Sequence, residues 1–303
     1  MAVRPLIRIP QMRSTLAPPA PSGDFEQLLE FTRAHARLLV VTGAGLSTDS
    51  GIPAYRDADG RWLRRDPILY HEFMASEQTR RRYWARSFFG WPLMQSARFN
   101  GAHQALARLE AAGHVELLVT QNVDGLHERA GSRRLIEIHG RLSRASCLSC
   151  GYRIERDELQ QRLHALNPDW RPEVLGYNPD GDAELDASAY PGFMVADCER
   201  CGGPLKPDVV FFGESVPAER IAAVRSALRS SDAVLVLGSS LVVMSGYRIV
   251  REGVAAGLPV VAVNRGRTRA DDLLSFKVDA DCSEALSRLA EALQGTESIG
   301  KAG

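Results

Sequence analysis

Lysine is nearly missing from this chain: only Lys206, Lys277 and Lys301 occur among its 37 basic residues, the rest being arginine. The 37 acidic residues cancel that charge, so the polycationic surface that drives phosphate-backbone binding is absent in bulk and nucleic acid is not an expected partner. Long apolar runs are lacking too. Stretches such as residues 38–41 and 233–237 fall far short of the ~18 residues a bilayer span requires, and no membrane partner is expected. The first 23 residues carry Arg4, Arg8 and Arg13, five prolines and no acidic side chain, without the continuous apolar stretch of roughly 7–15 residues of a secretory signal. That proline content spoils an amphipathic helix, so residues 1–23 read as a disordered tail and the expected location is cytoplasmic, with the mitochondrial matrix as the alternative. What is present is ordinary for a globular protein: 303 residues, 45% hydrophobic and 24% charged, enough for one large domain with a smaller module.

From residue 24 onward helices and strands alternate. Phe25, Leu28, Leu29 and Phe31 fit a helix, and residues 38–42 form a β-branched and aliphatic run ending at Gly43. A helix over 102–112, with Ala102, Ala105, Leu106 and Leu109 on one face, precedes a strand over 115–120. Strands are expected at 209–212, 233–237 and 259–263, and helices at 217–229, 246–256 and 283–293. Nearly continuous apolar strands between helices imply a parallel sheet covered on both faces, so the fold class is α/β: a Rossmann-like doubly wound parallel sheet. The stretch 142–207 breaks this rhythm with four of the five cysteines and a Pro/Gly/Asp-rich segment near 178–186. It reads as a small inserted zinc-binding module, leaving 24–141 and 208–295 as the nucleotide domain and 296–303 as a tail.

Cys147, Cys150, Cys198 and Cys201 form two C-x-x-C-G knuckles with 47 residues between Cys150 and Cys198. Each knuckle presents two thiolates to one side of a tight turn, and two of them close an all-thiolate tetrahedral zinc site. With all four positions filled by sulfur, the zinc is structural. A redox-active C-x-x-C is the alternative, though neither knuckle follows a strand of a thioredoxin-like unit; disulfides are disfavoured by the missing secretory signal.

Gly43-Ala44-Gly45 follows the first strand, in the kind of turn that brings backbone N–H groups to a pyrophosphate. The dehydrogenase fingerprint would place a third glycine at position 48, where Thr48 stands, so an ordinary hydride-transfer site is not supported. Instead the chain continues into a long polar and aromatic loop through Ser50-Gly51-Ile52-Pro53 and Tyr55-Arg56-Asp57. A second loop, Gln121 to His127, begins where the next strand ends, at the edge where doubly wound sheets bind ligands. Its Gln121, Asn122 and Asp124 are suited to ribose hydroxyls and a carboxamide; helix capping by Asn122 or Asp124 is the alternative.

Together these loops, His139-Gly140, both knuckles, Phe212-Gly213-Glu214, Gly238-Ser239-Ser240-Leu241 and Val263-Asn264 resemble the sirtuins, NAD-dependent protein deacylases. The resemblance runs in order from about residue 24 to 295. Tyr55 and the long gap between knuckles look like the class II branch, which includes lipoamidases, deacylases and ADP-ribosyltransferases. It implies NAD contacts from Gly43, Ala44, Gly45, Ser47, Asp49, Pro53, Tyr55, Arg56, Gln121, Asn122, Val123 and Asp124. On the adenosine side it implies Gly238, Ser239, Ser240, Asn264, Gly266 and Cys282, although a free cysteine is more often a core thiol. Asn122 is implied in catalysis beside His139, the expected base: the acyl oxygen attacks the ribose carbon as nicotinamide leaves, and neutral His139 then deprotonates a ribose hydroxyl. An acyl-lysine protein or peptide is the implied partner. Val210, Phe211, Phe212, Gly213 and Glu214 offer an extended edge for it, with an ordinary buried strand as the alternative. Tyr83 and Arg86 look like a pair that binds acidic acyl groups, against the blander reading of a solvated helix face. Protein mono-ADP-ribosylation and an idle NAD-sensing module are the competing functions.

Overall fold

The computed structural model describes residues 18–53, 67–178 and 181–297, which fall into two compact units. The larger holds residues 18–53, 97–139 and 216–297. Its elements are β1 (Ser22–Gly23), α1 (Phe25–Ala34), β2 (Leu38–Thr42), α2 (Gly101–Ala111), β3 (Val115–Thr120), α3 (Leu126–Arg129) and β4 (Leu135–Glu137). They continue with α4 (Ala218–Ser230), β5 (Ala233–Leu237), α5 (Met244–Ala255), β6 (Val260–Val263), β7 (Phe276–Val278) and α6 (Cys282–Glu297).

All seven strands are parallel, in the order β1-β7-β6-β5-β2-β3-β4. The period-two alternation of side chains accounts for both layers. Leu38 and Val40 of β2 join Leu235, Leu237, Val261 and Val263 in a core shared with α1, α2 and α6. Leu39 and Val41 face the opposite way, with Val234, Val236, Val260 and Ala262 against residues of α4 and α5. Both faces are therefore dry, as continuous apolar strands demand. Helix entries are built from side chains: Asp24 and Gln27 form a reciprocal capping box on α1, and the Asn100 carboxamide oxygen accepts from the Ala102 and His103 N–H groups of α2. The Asn100 amide also donates to the Leu46 carbonyl at 2.8 Å, tying the start of α2 to the loop after β2.

The smaller unit holds residues 67–96 and 140–215 among those described. A three-stranded antiparallel sheet orders Arg153–Glu155, Gly140–Cys147 and Leu205–Val209. Around it pack the helices Tyr70–Ala75, Glu77–Ser96 and Arg156–Leu166, with a two-stranded pairing of Val174–Tyr177 and Ala183–Leu185. Trp84, Phe73, Phe193 and Ile154 centre its own core.

The structure differs from the sequence reading in three places. Ser22 and Gly23 are not tail: they pair with Lys277 and Val278 as the sheet's edge strand, the Lys277 N–H reaching the Pro21 carbonyl. The unit around the knuckles is not confined to 142–207, because Trp84 and Phe88 of the helix Glu77–Ser96 supply its apolar centre. The strand expected at 209–212 ends at Val209 and lies in the antiparallel sheet. Beyond it the ladder groups are taken by side chains: Lys206 Nζ donates to the Val209 carbonyl at 2.6 Å, and the Phe211 N–H donates to Glu214 at 2.9 Å.

Candidate active site

The carboxyl ends of β2, β3 and β5 bring the two sequence loops together in the larger unit. The Gly45 N–H donates to the Gly238 carbonyl at 2.8 Å, and the Gly43 N–H to the Leu237 carbonyl at 3.1 Å. A Cβ on Gly43 would stand 2.7 Å from that of Ser239, and one on Gly45 2.9 Å from the Gly238 oxygen, so side chains are excluded at both positions. The result is a bare backbone cradle, with Ala44 half-buried and Gly45 exposed, of the kind a pyrophosphate can approach. Just past it Leu241 holds a positive φ of 54°, a strained conformation for a branched side chain.

One hydrogen-bond network fixes the polar side chains. Asn122 Nδ2 donates to the Gly43 carbonyl at 3.1 Å and to Ser47 Oγ at 3.0 Å, and Ser47 Oγ donates to Asp124 at 2.8 Å. Burial pushes the Asp124 carboxyl above its ordinary range, opposed by the Leu126 N–H and Ser47. Gln121 Nε2 bridges Ser239 Oγ at 2.8 Å and the Thr42 carbonyl at 3.2 Å. Val123 and Pro53 are half-buried nearby in sequence, and Gly266 and Asn264 lie past β6, where Asn264 Nδ2 donates to the Arg265 carbonyl at 2.8 Å. Asp49 stands apart from this network: it is exposed and accepts from Ser283 Oγ at 2.7 Å. Cys282 is a core thiol, its Sγ on the Val263 carbonyl at 3.5 Å and its pKa pushed up to about 12 by burial. Its side chain is therefore an inert part of the core. Tyr55 and Arg56 lie outside the described residues.

His139 follows β4, half-buried, with both ring nitrogens engaged. Nδ1 is 2.9 Å from the Gln121 carbonyl and Nε2 is 2.6 Å from Ser245 Oγ. A carbonyl only accepts, so Nδ1 carries the proton and the neutral ring keeps its lone pair on Nε2. Burial lowers the pKa of His139, the hydrogen bond to the Gln121 carbonyl works against that, and Arg220, which donates to the neighbouring Ile138 carbonyl at 3.3 Å, adds to the lowering. A neutral imidazole of fixed tautomer is the form a general base requires.

In the smaller unit the four cysteine Sγ atoms lie within 4.8 Å of one another. Cys147 approaches Cys201 to 3.5 Å and Cys150 approaches Cys198 to 3.7 Å, both across the two knuckles. A zinc tetrahedron with bonds of about 2.3 Å has edges of about 3.8 Å, so the donor set fits one ion. The Cys150 N–H, with that of Ser149, lowers the Cys147 thiol to about 6, toward the thiolate a metal needs.

The same unit holds the residues expected to meet an acyl-lysine. Val210 and Phe211 lie between two pairings, Val209 with Gly140 and Phe212 with Leu69. Phe211 packs its ring 5.1 Å from Phe73 and 5.5 Å from Tyr83, and Gly213 turns the chain at a φ of 85° so that Glu214 reaches Lys206 Nζ at 3.0 Å. Tyr83 and Arg86 are buried, which overturns the solvated-face reading. Arg86 Nε donates to the Ala183 carbonyl at 3.1 Å, and its guanidinium is 3.9 Å from Asp182. Sequence reasoning missed Ser245 and Arg220, neither of which sits in a motif. It also missed the Lys206–Glu214 pair, whose only signal was a lone lysine three residues before an apolar segment.

A glycine cradle at the carboxyl edge of a parallel sheet, a carboxamide and carboxylate network beside it and a neutral imidazole define a nucleotide-dependent enzyme of Rossmann-like architecture. A family model described as the Sir2 family matches residues 43–245. The chain belongs to the Sir2 family. It is 54% identical over 262 residues to an NAD-dependent protein deacetylase of Xanthomonas campestris pv. campestris (strain 8004), covering 86% of this chain and 89% of that one. It is 48% identical over 283 residues to the NAD-dependent protein lipoamidase sirtuin-4, mitochondrial, of Bos taurus, covering 91% and 90%. Among solved structures, "Sir2-p53 peptide-NAD+" superposes with a TM-score of 0.73 at 28% identity, covering 89% of this chain and 98% of that one.

Proposed function

We propose that this chain removes acyl groups from protein lysines at the expense of NAD, releasing nicotinamide, free lysine and O-acyl-ADP-ribose, with His139 as its base. The observation that carries the assignment of the base is the 2.9 Å contact of His139 Nδ1 with the Gln121 carbonyl, which calls for the proton on Nδ1 and leaves the lone pair on Nε2, on the side of Ser245. The relatives named NAD-dependent protein deacetylase, and the peptide and NAD complex of a Sir2 structure, support the reaction class.

The residues present fit NAD: Gly43, Ala44, Gly45, Gly238, Ser239 and Ser240 would take its phosphates and adenosine half, and Asn122 and Asp124 its nicotinamide half. When bound, NAD supplies an electrophilic ribose carbon with a leaving group already attached. The protein's part is to orient and to move one proton: the Asn122–Ser47–Asp124 hydrogen bonds hold these side chains in place, and His139 Nε2 accepts a hydroxyl proton. Cys147, Cys150, Cys198 and Cys201 would hold one zinc ion by four thiolates, and that ion would tie the two knuckles of the smaller unit together.

Phe211, Phe212, Gly213 and Glu214 are the proposed peptide side of the smaller unit, and Tyr83 and Arg86 the acyl side. Because Asp182 already opposes the Arg86 charge, we infer a preference for acyl chains without a carboxylate. The bacterial relatives support a cytoplasmic location, and no helix among the described residues is long and apolar enough to cross a membrane.

The test is nicotinamide release from NAD with a panel of acetyl-, lipoyl- and succinyl-lysine peptides. Release that depends on the acyl peptide is expected; transfer of labelled ADP-ribose to protein instead would establish the transferase reading. In His139→Ala, NAD binding should persist while turnover falls by about 10² to 10⁴. Near-normal turnover of that variant would remove the base.

A further inference from the structure

We propose that Ser245 is the positioning residue of the base: its hydroxyl holds His139 Nε2 in place and serves as hydrogen-bond partner to the ring in both protonation states. The inference rests on the proposed role of His139. Ser245 lies in the first turn of α5, and its Oγ approaches Nε2 to 2.6 Å, at the short end of hydrogen-bond distances. The opposite ring nitrogen is already committed to the Gln121 carbonyl, so the imidazole is held from two sides.

Both holding groups belong to one packed contact. A Cβ on Gly246, the next residue of α5, would stand 2.5 Å from Gln121 Oε1, so the start of the helix is packed against the residue whose carbonyl fixes Nδ1. Gln121 is in turn tied to Thr42 and Ser239. The ring therefore sits between the end of β3 and the beginning of α5, and cannot rotate without breaking one of two hydrogen bonds.

A hydroxyl suits this place because it both donates and accepts. In the resting state Nε2 has no proton and Ser245 O–H donates to it. Nε2 has one in-plane lone pair, so an arriving substrate hydroxyl must first displace the Ser245 O–H from it; the substrate O–H bond then breaks and an N–H bond forms at Nε2, while Ser245, rotated with its own proton kept, accepts from the new Nε2–H. That second bond is charge-assisted and hence the stronger of the two, so Ser245 favours the protonated product of the step. Burial, with a smaller contribution from Arg220, acts on the ring in the opposite sense and favours the neutral form beforehand.

The experiment compares Ser245→Ala, Ser245→Thr, Ser245→Cys, His139→Ala and the Ser245→Ala/His139→Ala double variant of the full zinc-loaded protein. The readouts are acyl-peptide-dependent kcat, NAD affinity by titration, the pH profile of kcat/KM and melting temperature. Ser245→Ala should lose about tenfold or more in kcat, the scale of a hydrogen bond to a charged group, with NAD affinity within about twofold of wild type. Its acid limb should move to lower pH by roughly half a unit, because the imidazolium loses its acceptor. Ser245→Thr should restore kcat to within about threefold, Ser245→Cys should fall between, and Ser245→Ala should cost nothing further in the His139→Ala background. Wild-type kcat and pH profile in Ser245→Ala, with His139→Ala inactive, would overturn the role of Ser245 alone. Near-normal turnover in His139→Ala would instead overturn the base assignment. Should Ser245→Ala not fold, failure of a folded Ser245→Thr to sustain turnover would count equally against the proposal.

Discussion

Acid should destabilise this protein through two histidines that no catalytic argument uses. His103 of α2 and His127 of α3 are both fully buried, their rings 4.7 Å apart. His127 Nε2 meets Thr42 Oγ1 at 3.0 Å and His103 Nδ1 meets Asn100 Oδ1 at 2.9 Å, while among the described residues His103 Nε2 and His127 Nδ1 have no hydrogen-bond partner. Burial pushes His103 down to about 4, and burial together with the neighbouring His103 holds His127 well below its ordinary value. Between about 6.5 and 4 the unfolded chain therefore binds a proton at His103 that the folded protein refuses. Stability from this group is complete above pH 6.5, declines as pH falls, and levels off once the folded ring protonates near pH 4. A shift of that size amounts to about 3 kcal/mol in full, of which about 2 kcal/mol is lost between pH 7 and pH 5. Denaturant unfolding of wild type and His103→Gln at pH 7 and 5, in zinc-buffered solution, isolates it, because effects of the carboxylates and the thiolates cancel in the difference. Wild type should lose about 2 kcal/mol more than the variant over that interval. Equal losses in the two proteins would refute the reasoning and place a compensating hydrogen-bond partner at the ring.

Cys147→Ser should bind less zinc and lose the cooperative melting of the smaller unit, since structural zinc is worth apparent values of about 10–16 kcal/mol against a whole-domain stability of about 5–15 kcal/mol. Unchanged zinc content and melting would argue for a different role for the knuckles. Gly238→Ala should destabilise by about 1–3 kcal/mol and weaken NAD binding, because a Cβ at a φ of 57° would run into the Leu46 backbone nitrogen. Wild-type melting and NAD titration in that variant would show that the cradle tolerates bulk.

The strands 38–42 and 115–120 were legible because each is an apolar run closed by a turn, long enough for its periodicity to register. The short strands Ser22–Gly23 and Phe276–Val278 were not, since two or three residues carry no pattern; they become strands by pairing with each other and, for Phe276–Val278, with β6. The helix Glu77–Ser96 was read only as a helix face around Tyr83 and Arg86, its extent and burial missed for the opposite reason. Its consecutive buried residues Tyr83 to Phe88, a buried arginine among them, leave no polar stripe to mark a period. Residues 209–212 looked like a strand from their apolar content alone, while Lys206 and Glu214, on either side, redirect the backbone groups that would have made the ladder.

By itself the sequence determined the chemistry available: two knuckles able to hold a metal, a glycine turn after an apolar strand, a carboxamide loop and a histidine past a short strand, all encoded by residues close together in the chain. Only the tertiary structure decided how that chemistry is set. His139 finds its partner 106 residues away at the start of α5, and Ser47 meets Asp124 across 77 residues. Such contacts depend on which strands lie side by side and how closely a helix packs on their ends, and local spacing carries no record of either.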